Sequence, residues 1–487
     1  MAALPPLDQL DPADAWKPWE PGPADPWGRK WAAHLYRRAG FGAGTAELAR
    51  AETRGFAETL QLLLTGEPGA SELVATLTDT GRVAAARDAD GAQIRGWWLY
   101  CALQGGHPLR EKLALFWHNH FATSIVKVRD ANLMFRQNVL FREHALGKFG
   151  PLLHAVGHDG AMLVWLDSNS NVKGRPNENY AREVMELFSL GVGNYTEKDI
   201  REAARAFTGW HTDGVGFKFN AGQHDTGSKT VLGKTGALDG GDVVNVVLEQ
   251  PACARFLVRK LYSYLVSEIP PPAALLEPLC EQFRQSDYDV AALVKTVLSS
   301  RLFYSDHAFR TRIKSPVEYA LGAVRAIYRR FDASDPHYRP LAHQALIKWL
   351  GTMGQTLFAP PNVKGWPGGR TWLNTSTVLE RDNFASRLAS GVLWQAPAAA
   401  VGFEVSSDLP PPRAFDPARV VEEEKVTAAA DVVRVLLDVH VPGGVRAGAR
   451  AKLVAFVAAG KPTGPALARR ARDAVHAILT MPEYQLN

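Results

Sequence analysis

Two glutamates three residues apart, Glu183 and Glu186, are the clearest candidates for acid/base chemistry in the sequence. On a helical wheel they share a polar stripe with Asn179 and Arg182, away from the apolar side of the same segment. Paired carboxylates can serve as acid and base, or as acid and nucleophile, at a glycosidic bond. A solvated helix face with ion pairs at i,i+3 and i,i+4 explains the same pattern without any function.

Two aspartates in neighbouring loops could face that stripe. Asp167 begins the polar run before the helix, and Asp225 follows His224 in a glycine-rich segment. Long ordered loops inside helical proteins are more often functional than structural. The sequence therefore predicts the catalytic residues Glu183, Glu186, Asp167, Asp225 and His224.

Basic, amide and indole side chains near these acids suit a polyhydroxylated, saccharide-like substrate that carries negative charge. Arginine and lysine bind anionic groups, and an indole face can stack on a sugar ring. A tryptophan in a Pro/Gly loop also has a structural explanation, because indoles often fill gaps in a core. The predicted substrate-binding residues are Arg182, Lys173, Asn171, Asn177, Trp210, Lys364 and Trp366.

Two histidines, His118 and His120, end an amphipathic helical run. Neutral imidazole is a common metal ligand, and His118, His120 or His224 together with Glu183 could bind a divalent metal such as zinc, iron or manganese. Residues two apart point about 200° apart on a helix, so the pair can share a ligand only beyond the helix end. One core histidine and one surface histidine is the alternative.

Three functions stay open from these residues. The first is a glycosidase-like hydrolase that uses carboxylates, the second a metal-dependent enzyme, and the third a non-catalytic binding or scaffold protein with a buried polar network. Both site-based functions predict that distant polar segments line one pocket. Its expected members are His118, His120, Arg182, Glu183, His224, Asp225 and Trp366.

Several familiar enzyme motifs are missing from the sequence. A Gly233-Lys-Thr235 string resembles the end of a phosphate-binding loop, but Ser228 occupies the position of the required first glycine. The zincin, α/β-hydrolase and dinucleotide-binding signatures do not occur.

Composition narrows the class of protein. Apolar residues make up 46% and charged residues 22% of 487 residues, which is typical of a folded domain. The net charge of +5 is spread along the chain, so we expect no nucleic-acid partner. No apolar run is long enough for a membrane span, and no secretory signal begins the sequence. These features predict a cytoplasmic protein, or an exported one if a precursor was trimmed.

Apolar periodicity predicts a mainly α-helical fold in one large domain, 29–395. An extended arm, 1–28, precedes this domain, and a glycine-rich loop with a small β-hairpin interrupts it near 209–240. A Pro/Ala-rich linker is predicted at 396–417, followed by a C-terminal helical segment at 418–487. The predicted helices are 29–39, 44–65, 92–118, 131–147, 176–190, 196–208, 242–266, 271–301, 315–331, 337–356, 378–394, 427–440, 446–459 and 464–481.

Several strings in the sequence closely resemble the bacterial domain of unknown function 1800 family. They are REKLALFWHNHFATS (110–124), NVKGRPNENYARE (171–183), ARAFTGW (204–210), HD (224–225), KSPVE (314–318), PNVKGWP (361–367) and the final AILTMPEY (477–484). The resemblance covers roughly 29–395 and the C-terminal helix. The family name implies no activity, and no catalytic residues are carried over from it.

Overall fold

Helices form most of the chain, which confirms the mainly α-helical prediction. The structure, a computed structural model, describes residues 5–327, 342–391, 418, 421–422 and 424–487. The predicted linker at 396–417 lies outside the described residues.

The first half of the chain contains short and medium helices. They are α1 (Pro12–Ala15), α2 (Arg29–Arg38), α3 (Thr45–Arg54), α4 (Phe56–Thr65), α5 (Ala70–Ala86), α6 (Ala92–Gln104), α7 (Pro108–His120), α8 (Ile125–Val128), α9 (Ala131–Glu143), α10 (Phe149–Gly157), α11 (Gly160–Trp165), α12 (Asn179–Glu183) and α13 (Glu197–Ala206). A π-helical turn (Val184–Ser189) continues α12.

The second half continues the pattern after two hairpins. Its helices are α14 (Gly240–Glu249), α15 (Pro251–Leu265), α16 (Ala273–Gln285), α17 (Val290–Ser299), α18 (Pro316–Ile327), α19 (Ala342–Thr352), α20 (Thr375–Ala389), α21 (Ala429–His440), α22 (Ala447–Ala458), α23 (Gly464–Thr480) and α24 (Pro482–Gln485).

Helix breakers divide several segments that periodicity alone predicts as continuous. Gly55 has a φ of 84° and separates α3 from α4, because a helix cannot continue through a residue with a positive φ. Pro251 starts α15 at its first turn and separates it from α14. Both helices on either side of each break bury apolar side chains, so periodicity alone does not reveal the break.

The glycine-rich segment at 209–240 forms two separate β-hairpins. Strand β1 (Trp210–Thr212) pairs antiparallel with β2 (Phe217–Phe219), and β3 (Lys229–Val231) pairs with β4 (Lys234–Gly236). The sequence predicts one small hairpin in this segment, whereas the structure has two, each closed by its own antiparallel pair of three-residue strands. Each hairpin is too short to be stable alone, so packing against α13 and the neighbouring helices must support it.

Buried apolar side chains form two large cores. One lies among α2, α7, α10 and α15–α17, and the other among α6, α18, α20 and α21–α23. The C-terminal helices pack directly on α18 and α20. The segment at 418–487 therefore shares a hydrophobic core with the preceding helices.

The N-terminal arm is anchored by tryptophans. The Trp16 indole donates a 2.6 Å hydrogen bond to the Leu275 carbonyl, and Trp19 stacks on Tyr304 with 4.2 Å between ring centroids. Within the described ranges, no helix combines the length and the apolar run that crossing a bilayer requires.

Candidate functional site

Three hydrogen bonds join the polar segments predicted from the sequence in the fold. The Trp366 amide donates to Asn119 Oδ1 at 2.6 Å, which joins the 360–369 loop to the end of α7. The Gly209 amide donates to the Asn171 carbonyl at 3.1 Å, which joins the 167–177 loop to the first hairpin. The His120 ring bonds the Phe188 carbonyl, which joins α7 to the π-helical turn.

Gly365 allows the loop to approach α7 this closely. Its φ is 78°, and a Cβ at this position would lie 2.2 Å from Asn119 Oδ1. Only glycine fits both the left-handed backbone and the close approach. The family string PNVKGWP thus has a structural reason for its glycine.

Glu183 and Glu186 lie where α12 changes into the π-helical turn. Here the Leu190 amide donates to the Met185 carbonyl five residues back, at 2.9 Å. Such turns are rare and are frequently found at functional sites. Both glutamates are partly exposed, so the junction presents two carboxylates to solvent.

The two carboxylates have different surroundings. The Tyr195 hydroxyl donates to Glu186 Oε2 at 2.9 Å and fixes that side chain. No hydrogen-bond donor contacts the Glu183 carboxylate in the described part of the chain. Burial and the negative charge of Glu186 raise the pKa of Glu183 to about 7, while the positive charges of Arg182 and Lys364 oppose this shift.

The basic residues near this pair of glutamates differ in whether their side chains already form ion pairs within the protein. Arg182 binds both oxygens of Glu197 at 2.9 and 2.8 Å and also contacts Glu178 at 3.2 Å. Lys364 and Lys173 are exposed, and neither side chain has an ion-pair partner among the described residues. The two lysines are therefore available to an anionic ligand, whereas Arg182 is held within the protein.

His118 is surrounded by aromatic rings. It is 1% exposed and lies against Trp98 (5.1 Å), Phe358 (5.6 Å) and Trp366 (5.7 Å). Burial lowers its pKa to about 3, so the ring is neutral at physiological pH. Its Nε2 atom is buried and has no hydrogen-bond partner among the described residues.

His120 has partners on both ring nitrogens. Its Nε2 donates to the Phe188 carbonyl at 2.9 Å, and its Nδ1 accepts from Lys260 Nζ at 3.1 Å. Lys260 also donates to the Leu187 carbonyl at 3.2 Å. Together the two side chains satisfy carbonyls at the end of the π-helical turn, where the helix leaves them without amide partners.

These contacts do not match the metal-site hypothesis. His120 has no free nitrogen lone pair, and His224 Nδ1 bonds the Thr208 carbonyl at 2.8 Å. Within residues 5–327, 342–391 and the described C-terminal part, no three His, Cys, Asp or Glu side chains are placed to bind one metal ion. The three imidazoles therefore do not converge on a single point.

Asp225 fixes the base of the second hairpin. Arg205 donates to its two oxygens at 2.8 and 3.3 Å, and the Gly227 amide donates to Oδ1 at 2.9 Å. The bond from Arg205 is the main reason that the pKa of Asp225 is lowered. Lys229 donates to the Asp225 carbonyl in the same turn. These contacts give the His224-Asp225 pair a structural role in the loop.

The 167–177 loop is held together by its own polar groups. Asp167 has a φ of 57° and forms a 2.8 Å ion pair with Lys127. Asn171 is 3% exposed, donates to the Ala204 carbonyl at 3.0 Å and accepts from the Asn177 amide at 2.8 Å. The Asn177 side chain donates to Ser170 Oγ at 2.7 Å. The two asparagines thus serve the loop geometry.

Neither predicted stacking tryptophan has an open face. Trp210 is 6% exposed and packs on Phe207 and His158, at 5.1 and 4.5 Å between ring centroids. A Cβ on Gly240 would lie 2.4 Å from this indole, so the ring is tightly enclosed. Trp366 is 5% exposed and lies against His118. Both indoles fill the core, and a sugar ring cannot reach them without a rearrangement.

Two buried hydroxyls near Trp210 were not singled out by the sequence analysis. Ser168 Oγ and Tyr180 Oη are buried without a hydrogen-bond partner among the described residues, and both residues border a gap beside Trp210 that is too small for a water molecule. Nearby Asp159 caps α11 and accepts from the Gln137 amide at 2.6 Å. Burial raises the pKa of Asp159 to about 7. Its N-cap position before an apolar run was the available sequence signal.

The seven residues expected to line one pocket are thus divided among several environments. Glu183 and Arg182 are partly exposed, the α7 histidines and Trp366 are buried, and His224 and Asp225 belong to the hairpin base. A cavity of about 690 Å³ lies elsewhere, between α3, α6 and the start of α7, and contains none of the seven.

Comparison with known proteins gives one family. The model of the family described as "Protein of unknown function (DUF1800)" matches residues 34–486, nearly the whole chain. No curated protein and no solved structure matches the chain significantly. The match includes the helical strings around the glutamates and extends through the C-terminal helices, so the chain belongs to the DUF1800 family.

Proposed function

We propose that Glu183 and Glu186 form the acid/base pair of a glycosidase-like hydrolase, which acts on a polyhydroxylated, saccharide-like substrate bearing negative charge. The observation that carries this proposal is the pair itself. Two partly exposed carboxylates share a π-helical junction, one fixed by Tyr195 and the other without a donor in the described chain.

The two glutamates divide the chemical roles. A carboxyl group with a pKa of about 7 keeps its proton in about half of the molecules at neutral pH and can give it to a leaving oxygen, so Glu183 is the general acid. Glu186 is the second carboxylate. It takes a proton from the attacking water in an inverting reaction, or attacks the anomeric carbon in a retaining one.

Lys364 and Lys173 supply the contacts to negative charge on the substrate. Their exposed amines have no ion-pair partner in the described chain. Lys364 is close enough to Glu183 to affect its pKa, so an anionic group bound there would lie beside the acid. Arg182 contributes differently, since its ion pairs with Glu197 and Glu178 fix the helix that carries Glu183.

The proposal is tested by activity on defined glycosides. The purified chain is assayed with 4-nitrophenyl glycosides of neutral and uronic sugars, and by reducing-sugar release from soluble polysaccharides. We expect Glu183→Gln and Glu186→Gln each to lower kcat by about 10²-fold or more. Glu143→Gln, an exposed change on α9, is the matched control. Absence of turnover on every substrate, or equal turnover by all three variants, refutes the hydrolase.

A second candidate, a non-catalytic scaffold, is favoured by the bonding of the other polar residues. Asp225, His224, Asn171 and His120 all bond other parts of the protein. A network in which each polar group has a partner fixes helix packing without any chemistry. If the protein is such a scaffold, we expect Asp225→Asn to lower its free energy of unfolding and Glu183→Gln to leave the measured glycoside turnover unchanged.

A further inference from the structure

A large cavity far from the glutamate pair has the features of a second ligand site. Its volume is about 690 Å³, within the range of small-molecule pockets. Side chains from α2, α3, α4, α5, α6, α7 and α18 line it. The site is independent of the proposed hydrolase, because none of the acid/base or lysine residues of that proposal lies in it.

Most charged groups around this cavity neutralise one another. Arg325 donates to Glu47 at 2.7 Å, and its other nitrogens bond the Gly42 and Leu103 carbonyls. Behind the wall, Arg142 binds Glu111 at 2.7 Å. These groups are therefore already paired and do not require a ligand.

A second pairing lies at the mouth of the cavity. Arg54 contacts Glu58 at 3.4 Å and Glu67 at 3.5 Å. On the inner side, Arg110 lies 3.8 Å from Glu111, which Arg142 already neutralises. The three acids that line the cavity, Glu47, Glu67 and Glu111, equal its three arginines in number, and Arg50 is the one of these arginines without an ion-pair partner among the described residues.

Three hydrogen-bond donors at the cavity have no partner in the described chain. The Tyr36 side chain is 6% exposed, and its hydroxyl makes no hydrogen bond. Gln104 Nε2 is buried without an acceptor. The Arg50 guanidinium is exposed and forms no ion pair with a described residue. Of the three, Gln104 Nε2 is the buried donor, and an acceptor within its reach would relieve the free-energy cost of leaving it unpaired.

The rest of the wall is apolar. Leu62, Leu63, Leu73 and Leu103 are among the residues that line the cavity. The first turn of α5 also opens onto it, and the positive end of a helix dipole favours an anion there. One part of the wall thus carries hydrogen-bond donors without acceptors, and another part is aliphatic.

We infer that this cavity binds a small organic carboxylate with an apolar body. The carboxylate accepts from Tyr36, Gln104 and Arg50 and gives Arg50 the ion-pair partner that it lacks among the described residues. The apolar body covers the leucines. A monoanion fits better than a phosphate dianion, since Arg50 is the single lining arginine without an ion pair and three acids also line the cavity.

Calorimetric titration of the full chain with octanoate tests this inference. Acetate carries the charge without the chain, and n-octanol carries the chain without the charge. We expect octanoate to bind at least tenfold more tightly than either. Binding of octanoate no tighter than that of acetate or n-octanol overturns the inference, as does absence of binding at millimolar concentration.

Variants locate the binding to this cavity. Tyr36→Phe removes only the unpaired hydroxyl, and Arg50→Gln removes an exposed charge, so both variants should fold. We expect each to weaken octanoate binding about tenfold, because each loses a charge-assisted hydrogen bond. Arg201→Gln, an exposed change on α13, is the control and should bind as the parent does. Unchanged octanoate affinity in both cavity variants refutes the site, whatever the outcome of the glycoside assays.

Discussion

Glu318 and Glu183 are the same side chain in opposite electrostatic settings. Glu318 in α18 is 3% exposed and binds Lys112, Arg312 (3.2 Å) and the Ser315 amide (2.8 Å). Burial opposes its charge, but the two cations lower its pKa below the ordinary value. Glu183 is partly exposed, lacks a donor in the described chain and has its pKa raised to about 7.

The comparison shows that the partners of a carboxylate decide its role more than its burial does. Glu318 is the more buried of the two, yet it stays charged because cations and an amide replace its hydration. Glu183 loses part of its hydration near another carboxylate and gains no donor. The first arrangement stabilises the fold, and the second leaves a proton available for transfer.

The largest expected effect is on the buried pair. Glu318→Gln removes the negative charge that compensates Lys112 and Arg312, so two buried cations remain near a neutral amide. We expect the free energy of unfolding to fall by about 3–5 kcal/mol, as for other broken buried ion pairs. Urea unfolding at pH 7 measures it, with Glu143→Gln as the surface control. A loss below about 1 kcal/mol would mean that the interior at Glu318 is well hydrated.

A smaller effect is expected at the loop that carries Lys364. Gly365→Ala places a methyl group 2.2 Å from Asn119 Oδ1 at a φ of 78°. We expect a loss of about 2 kcal/mol or more from the strained backbone and the displaced loop. If the loop moves, Lys364 no longer opposes the raised pKa of Glu183, which should rise further. Carboxyl NMR titration of this variant measures that shift, and an unchanged titration would show that the loop stays in place.

The fold could be predicted from the sequence more completely than the site. Apolar periodicity indicates most helices, because burying one stripe is a local property of each segment. Helix α5 was missed. Its threonines at 76, 78 and 80 bond carbonyls four residues back, and neither they nor the small residues around them form a clear stripe.

Polar partners could not be read from the sequence, because they lie far apart along the chain. Asp167 pairs with Lys127, 40 residues earlier, and Lys112 pairs with Glu318, 206 residues later. The glutamate stripe was visible because both acids lie on one helix. The large cavity was not, since ordinary leucines, alanines and paired charges line it.

Asp225 is intermediate between Glu318 and Glu183 in its electrostatic surroundings. It is partly buried and accepts hydrogen bonds from Arg205, but its ion pair remains open to solvent. Asp225→Asn keeps the shape and removes the charge, so we expect a loss of about 1 kcal/mol in thermal or urea unfolding. A loss as large as that of Glu318→Gln would mean that the Arg205–Asp225 ion pair behaves as a buried pair.

The smallest effect, and the sharpest test of the comparison, is the pH dependence of stability at Glu183. Its pKa is about 7 in the folded chain, against an ordinary value of 4.5. Between these values the folded chain holds a proton that the unfolded chain has released. The free energy of unfolding therefore falls as pH rises from about 4.5 to 7 and levels off above.

Glu183→Gln removes this dependence, and the difference between parent and variant isolates it. Asp159, whose pKa is also raised to about 7, contributes the same sign but is present in both proteins and cancels. We expect the stability of the parent relative to Glu183→Gln to decline over pH 4.5–7, by much less than the Glu318 effect because solvent screens a partly exposed group. Glu186→Gln removes the neighbouring negative charge, so it should lower the pKa of Glu183 and narrow the window. If the free energies of unfolding of the parent and Glu183→Gln change in parallel with pH, Glu183 has an ordinary pKa. Glu183 and Glu318 would then differ in their burial and not in the direction of their pKa shifts.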